Sequence, residues 1–312
     1  MQTTIVKDGT HTVDMSPSHD KPESGHAALE RALAFKAYEI EELADVYFFR
    51  PLGAVVAYAS RSVGMSPNGL TVVGGIVGAA GGASLYVESL GALAFALLIL
   101  HGVIDSADGQ LARLTNRTSE LGRILDGLGG YATHVAVYLA IAAAHVAGGG
   151  SPASWAWMVA AGICNVCQAQ MYDYHRTLYA TVVVRKRAPR PWTPAVPSWA
   201  RAIARVHDGV QRNLIGAHAA VETLLRSHAD QTSGEVAEHD RQRYRRCFYW
   251  PVRGWNLLGD NTRFYAIGVL VLVRHLDWFF FFILGPMNVA LIALWLWQQR
   301  ADRRFLNPAV VG

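Results

Sequence analysis

The chain has 312 residues, 52% of them apolar and only 17% charged, with a formal net charge of +4. That length suits one large domain or two small ones. The apolar residues gather in runs near membrane-span length, which argues against a soluble globular protein and for a polytopic membrane protein. Three cysteines, Cys164, Cys167 and Cys247, do not make a disulfide framework. The Cys164–Cys167 pair lies in an apolar helix with no second Cys or His pair, and reads as packing rather than as a metal or redox site.

In chain order, residues 1–27 are polar and lack an apolar signal-peptide core, so they are expected to be disordered, with no secretory leader to cleave. Residues 28–63 read as an interfacial segment. Over 28–50, Leu29, Leu33, Ala34 and Ile40 alternate with Glu30, Arg31, Lys36 and Glu41, the pattern of a helix lying on a membrane surface. A second apolar piece, 51–63, leads to Pro67-Asn68. Residues 64–183 carry four expected spans, at 68–87, 90–112, 121–147 and 153–183. Residues 184–260 form a basic insert, residues 261–299 hold a short fifth span (261–275) and a sixth (277–299), and 300–312 are a tail. The predicted fold is therefore all-α, a six-helix membrane bundle with an interfacial N-terminal helix and an insert.

Gly74, Gly78 and Gly82 recur every four residues on one face of the first span, where small residues let helices approach closely. The turns at 88–89 and 148–152 contain no Lys or Arg, whereas between Arg185 and Arg263 basic residues outnumber acids two to one. Positive loops stay inside, so both termini, the 113–121 turn and the insert are expected on the cytoplasmic side of the cell (inner) membrane. The insert opens with Pro189, Pro191, Pro194 and Pro197, which prevent a helix. A helical pattern follows over 199–228, then a basic-aromatic cluster, Arg241 to Trp250. That cluster reads either as a lid or anionic-headgroup surface or as a solvated positive loop. The membrane accounts for the charge, so no nucleic-acid partner is expected.

The chemistry concentrates in Asp105-Ser-Ala-Asp108-Gly109-Gln-Leu-Ala112-Arg113, followed by Gly122 and Asp126. On a helix Asp105, Asp108 and Ala112 share a face, as do Gly122, Asp126, Gly130 and His134 on the next. Gly109 lets a ligand approach the backbone, and Arg113 can grip phosphate oxygens. Three ionised carboxylates near a span are costly, roughly 2.5–3.5 kcal/mol each at the bilayer centre and less at its edge. A hard divalent cation, Mg²⁺ or Mn²⁺, relieves that cost and binds together with substrate phosphates.

These residues resemble the signature of the CDP-alcohol phosphotransferase (CDP-alcohol phosphatidyltransferase) family: D-x-x-D-G-x-x-A-R, eight residues, G-x-x-x-D-x-x-x-D. The match runs from Asp105 through Asp126 and departs at the last position, where Gly130 stands. Ser66-Pro67-Asn68-Gly-Leu-Thr71 is similar to the family's lead-in to its first span. The resemblance implies Asp105, Asp108 and Asp126 as metal ligands and Gly109, Ala112, Arg113 and Gly122 in a nucleotide site, with Asn68 and Thr71 nearby. It implies transfer of a phosphate-linked group from a CDP-linked donor, CDP-diacylglycerol above all, to an alcohol acceptor, with release of CMP. Membrane lipids are implied as partners, and a homodimer is compatible with the family.

In the family the fourth aspartate is thought to act as the base on the acceptor. With Gly130 in its place, His134, one turn deeper on the same face, is the candidate base, its ordinary pKa of ~6.5 being suited to the task. Tyr172-Asp173-Tyr174-His175-Arg176 is a second source of contacts. Two functional readings follow: a metal-dependent phosphotransferase of phospholipid synthesis, or a catalytically impaired member that binds a CDP-lipid or acts as a scaffold. An intramembrane prenyltransferase leaves D-G-x-x-A-R without explanation.

Overall fold

The computed structural model describes residues 38–189, 209, 211–229 and 233–307. The expected disordered stretch 1–27, residues 28–37 of the interfacial segment, Pro191, Pro194 and Pro197, the 199–208 part of the helix expected over 199–228, and the end of the tail lie outside the described residues.

The described residues are overwhelmingly helical, with one isolated bridge between Arg187 and Glu235 as their β-type pairing. A π-helical turn, Asp45–Phe49, runs into α1, Arg50–Ser62. There follow α2, Pro67–Ser84, α3, Gly91–Leu114, α4, Glu120–Ala147, and α5, Ser154–Tyr179, which ends in a π-helical turn at Ala180–Val184. The insert contributes α6, His218–His228, and α7, Glu238–Trp255. The chain closes with α8, Asp260–Leu272, α9, Phe279–Phe282, and α10, Asn288–Leu306.

Local chemistry sets the boundaries near the site. Ser66 caps α2 by accepting from Gly69 N at 3.1 Å, with Pro67 at the first helical position. Ser119 caps α4 by accepting from Gly122 N at 2.9 Å. Three helices are long and apolar enough to cross a membrane among the described residues: Glu88–Leu114, Ile124–Ala147 and Leu276–Leu306. The other three expected spans are helical as α2, α5 and α8, but α8 has only 13 residues. Length and composition single out three of the six expected spans among the described residues.

Two expectations are corrected. The surface helix expected to run unbroken to residue 50 is interrupted after a 3-10 turn at Tyr38–Ile40. The cause is Glu41, which turns inward to 5% exposure and pairs with Arg50 and Arg176, each at 2.7 Å. The helix expected over 199–228 breaks at Gly216, whose φ of +56° is a left-handed conformation that favours glycine.

α2 lies against both α3 and α4, and its glycines make the approach close. A Cβ on Gly78 would fall 2.8 Å from the His101 ring, one on Gly82 2.7 Å from the Val137 backbone nitrogen, and one on Gly75 3.1 Å from Gly129 Cα. Gly82→Leu is therefore expected to destabilise the bundle by about 1–3 kcal/mol or more, as overpacking does. Thermal melts in detergent would register this as a lowered midpoint.

A second core joins the insert to the bundle. Tyr244, Phe248 and Phe305 are fully buried together with Val221 and Leu225, and His218 Nδ1 meets Asp302 Oδ1 at 2.6 Å with both side chains buried. The Arg241–Trp250 cluster is thus neither a lid nor a solvated loop along its whole length. Its aromatic side is core, while Arg245, Arg246 and Trp250 face outward.

Candidate active site

The C-terminal part of α3 places Asp105 and Asp108 one turn apart, and α4 brings Asp126 opposite them. Asp105 and Asp126 are close enough for their charges to interact. Thr71, whose hydroxyl donates to Pro67 O at 3.0 Å, lies near Asp108, whose Oδ2 is buried without a partner. Among the described residues no three His, Cys, Asp or Glu side chains are gathered in metal-binding geometry. The three acids are neighbours rather than a ready-made cage.

Three cavities meet at these acids. The first, of about 450 Å³, is lined by Asn68, Thr71, Gly109, Ala112, Arg113 and Gly122 together with Asp108 and Asp126. The structure therefore brings every residue expected at the nucleotide into one pocket. Gly122 keeps it open, since a Cβ there would lie 2.9 Å from Asn68 Oδ1. The second, of about 680 Å³, descends from Asp105 and Asp126 between α4 and α5, over Val135, Leu139, Met158, Val159, Gly162 and Val166. The third, of about 720 Å³, is polar and contains all three acids with Gly130, His134, Asp173, Arg50, Arg113, Arg176 and Asp260. Asp126 lines all three.

Gly130 leaves open space, with nothing within 4 Å of a Cβ built there. His134 lines the polar cavity beside this space. Its Nδ1 lies 2.9 Å from Gly130 O, so that nitrogen carries a proton and donates it. Its Nε2 faces Asp260 Oδ1 at 3.4 Å, and the ring stacks on Phe264. Nε2 has no hydrogen-bond partner among the described residues, and the ring that the sequence singles out as candidate base stands between Gly130 and Asp260.

The Tyr172–Arg176 stretch divides. Asp173 and Arg176 line the polar cavity. Tyr172 donates to Glu42 at 2.8 Å, Tyr174 donates to Glu222, and His175 is buried against Trp255. Of the cysteines, Cys164 accepts from Asn288 at 3.2 Å, and all three are free thiols.

Residues 38–49 tie this region together. Asn261 donates to Glu42 at 2.8 Å and to Asp45 at 3.0 Å. Burial, and then the charge of Asp45, raises Glu42 above its ordinary carboxylate value. Burial also raises Asp45, against the lowering effect of the Asn261 bond and with the help of Glu41. A carboxylate whose folded pKa is raised holds its proton more tightly in the folded state. Its contribution is therefore unfavourable at neutral pH and is relieved as pH falls toward the folded values, which lie above 4.5 and 3.8. Asp45→Asn is expected to raise the melting temperature at pH 7 and to flatten its rise between pH 7 and 5 relative to the wild type. Paired thermal melts across that range check both effects.

Sequence reasoning missed Asp260, Glu41, Arg50 and Arg185 as cavity residues. For Asp260 a signal existed: it is an acid at the start of an expected span, which is the argument that had picked out Asp105.

A sequence profile of the CDP-alcohol phosphatidyltransferase family matches residues 64–205. An uncharacterized protein of Aquifex aeolicus is 45% identical over 62 residues, 20% of this chain and 31% of that protein. The chain thus spans about a third of that relative's length. No solved structure matches the chain. The matched segment, which is similar to that family, holds α2 to α5, both aspartate-bearing helices and the whole cavity around Gly109 and Gly122.

Proposed function

We propose that the protein transfers a phosphatidyl group from CDP-diacylglycerol to an alcohol, releasing CMP, at the cytoplasmic face of the cell membrane. The observation that carries this reading is that Asp126 borders three cavities of different character. The reaction has three components to accommodate: a nucleotide diphosphate, a lipid and a polar alcohol. The apolar groove beneath Asp105 and Asp126 supports a lipid-linked donor over a soluble one. The Lys- and Arg-free turns on the opposite side support the orientation.

The donor set fits a hard divalent cation, Mg²⁺ or Mn²⁺: three carboxylates, two of them apposed and one with a buried oxygen lacking a partner. Asp105, Asp108 and Asp126 would hold it. When bound, such an ion neutralises charge on the diphosphate and on departing CMP. The chain's own residues do the rest. Gly109 and Gly122 admit the nucleotide to the backbone. Arg113, which borders both the nucleotide and the polar cavity, is placed to grip phosphate oxygens. In the transfer the acceptor oxygen bonds to the lipid-bearing phosphorus, the bond from that phosphorus to the bridging oxygen breaks, and CMP leaves with the electron pair.

A CMP-release assay tests this, with CDP-diacylglycerol, Mg²⁺ or Mn²⁺, and glycerol 3-phosphate, inositol 1-phosphate or serine as acceptor. Release that needs both metal and acceptor supports the enzyme. CDP-lipid binding without release under any of these conditions supports the second reading, a non-catalytic CDP-lipid-binding member, which the missing carboxylate at Gly130 favours.

A further inference from the structure

An acceptor hydroxyl entering the polar cavity must lose its proton as its oxygen bonds to phosphorus. The transfer reading assigns Asp105, Asp108 and Asp126 to the metal, and His134 donates from Nδ1 to Gly130 O with its Nε2 3.4 Å from Asp260 Oδ1. A fourth carboxylate arrives from elsewhere in the chain. Asp260 opens α8, more than a hundred residues beyond Asp126, and lines both the polar cavity and the mouth of the apolar groove, beside Asp105, Asp126 and Gly130. Its field reaches Asp105.

The setting of Asp260 is built. Its Oδ1 lies 3.4 Å from His134 Nε2 and 3.3 Å from Arg263 Nη1. Arg263 is 1% exposed and is itself anchored, Nη1 donating to Leu258 O at 2.7 Å and Nη2 to Gln168 Oε1 at 3.2 Å. These two contacts fall on Oδ1, and the side chain, 56% exposed, lines the polar cavity.

We propose that Asp260, steadied by His134 and Arg263, is the catalytic carboxylate that binds the acceptor hydroxyl and takes its proton. The inference rests on the transfer reading above. The acceptor O–H bond breaks as the O–P bond forms, the proton passes to the Asp260 carboxylate, and CMP leaves with the electrons of the severed P–O bond. Proton loss in concert with bonding to phosphorus does not call for a strong base, because the hydroxyl becomes more acidic as its oxygen bonds. His134 is a positioning residue, set beside Oδ1. The empty space over Gly130 is where the acceptor enters.

The test is kinetic. Asp260→Asn keeps the size of the side chain and is expected to lower the rate of acceptor-dependent CMP release by ~10²–10⁴-fold. Binding of CDP-diacylglycerol should stay at the wild-type value, and the melting temperature is expected to fall because buried Arg263 loses a charged partner while keeping Leu258 O and Gln168 Oε1. Because Gly130 faces open space, the Asp260→Asn/Gly130→Asp double variant is expected to regain a measurable part of the rate, which a purely structural role would not allow. Asp173 lines the same two cavities, so Asp173→Asn tests the rival carboxylate and is expected to lose less than Asp260→Asn; Asp277→Asn, at a residue lining none of the three cavities, is the control expected to stay within a few-fold of wild type. An active wild type with an equally active Asp260→Asn variant, or with the large loss falling on Asp173→Asn instead, overturns the proposal while leaving the transfer reading intact. A wild type inactive with every acceptor overturns both.

Discussion

Replacing Asp126 with Asn should lower acceptor-dependent CMP release by ~10²–10³-fold, the scale on which losing one preorganised charged group acts at a transferring phosphoryl centre. No other substitution in the chain is expected to have so broad an effect, because Asp126 alone among the three motif acids borders all three cavities. It also apposes Asp105 across the gap between α3 and α4. Removing its charge changes the donor set and the polar cavity at once. The variant should fold: the side chain is exposed to the cavities, and relief of carboxylate repulsion favours the uncharged form. Comparison of CMP release with the melting temperature separates the two effects. A stable variant that keeps a rate within tenfold of wild type would remove Asp126 from the chemistry.

Gly162→Trp is expected to separate lipid-linked donors from soluble ones. Gly162 sits on α5 in the wall of the apolar groove, with nothing within 4 Å of a built Cβ, so an indole there fills the groove without displacing a neighbour. The acyl chains lose little by remaining in the bilayer, so the effect is one of position. A diacylglycerol that cannot descend holds its phosphorus away from the acceptor, and a displacement of about 1 Å is enough to cost on the order of 10²-fold. CMP release from CDP-diacylglycerol should fall by that order, while binding of CDP itself, which needs only the cavity around Gly109 and Gly122, should not change. Equal loss of both would place the apolar groove outside the donor site.

The two halves of the site differ in how far the sequence announced them. Asp105, Asp108, Gly109, Arg113, Gly122 and Asp126 lie within 22 positions on two consecutive helices, so helical periodicity places them side by side before any tertiary contact is known. The glycine face of α2 was legible for the same reason: a four-residue repeat maps directly onto one side of a helix. Asp260 was not, because its approach to His134 depends on how α8 returns to the bundle after the insert, and no local pattern encodes that. The N-terminal segment failed differently. Alternation of apolar and charged residues implied a helix on the membrane surface, yet Glu41 is drawn inward by Arg50 and Arg176, one of them far along the chain. In the insert, the basic residues of α7 drew attention away from Tyr244, Phe248 and Val252. Their spacing of four marks a buried stripe, and that stripe is what docks the insert on α10.

The glycine seam of α2 acts as a gauge for the reaction centre. Asn68 and Thr71 ride on the first turns of that helix, while Asp105 and Asp126 ride on the two helices it separates. Because α2 meets α4 across little more than hydrogen at Gly75 and Gly82, the width of the proposed nucleotide cleft is set on that side by backbone rather than by side chains. Side chains can change rotamer to absorb a substitution, and backbone cannot. A single methyl group in the seam, many ångströms from any phosphate, would therefore be read out as a misfit of the nucleotide before the bundle itself came apart.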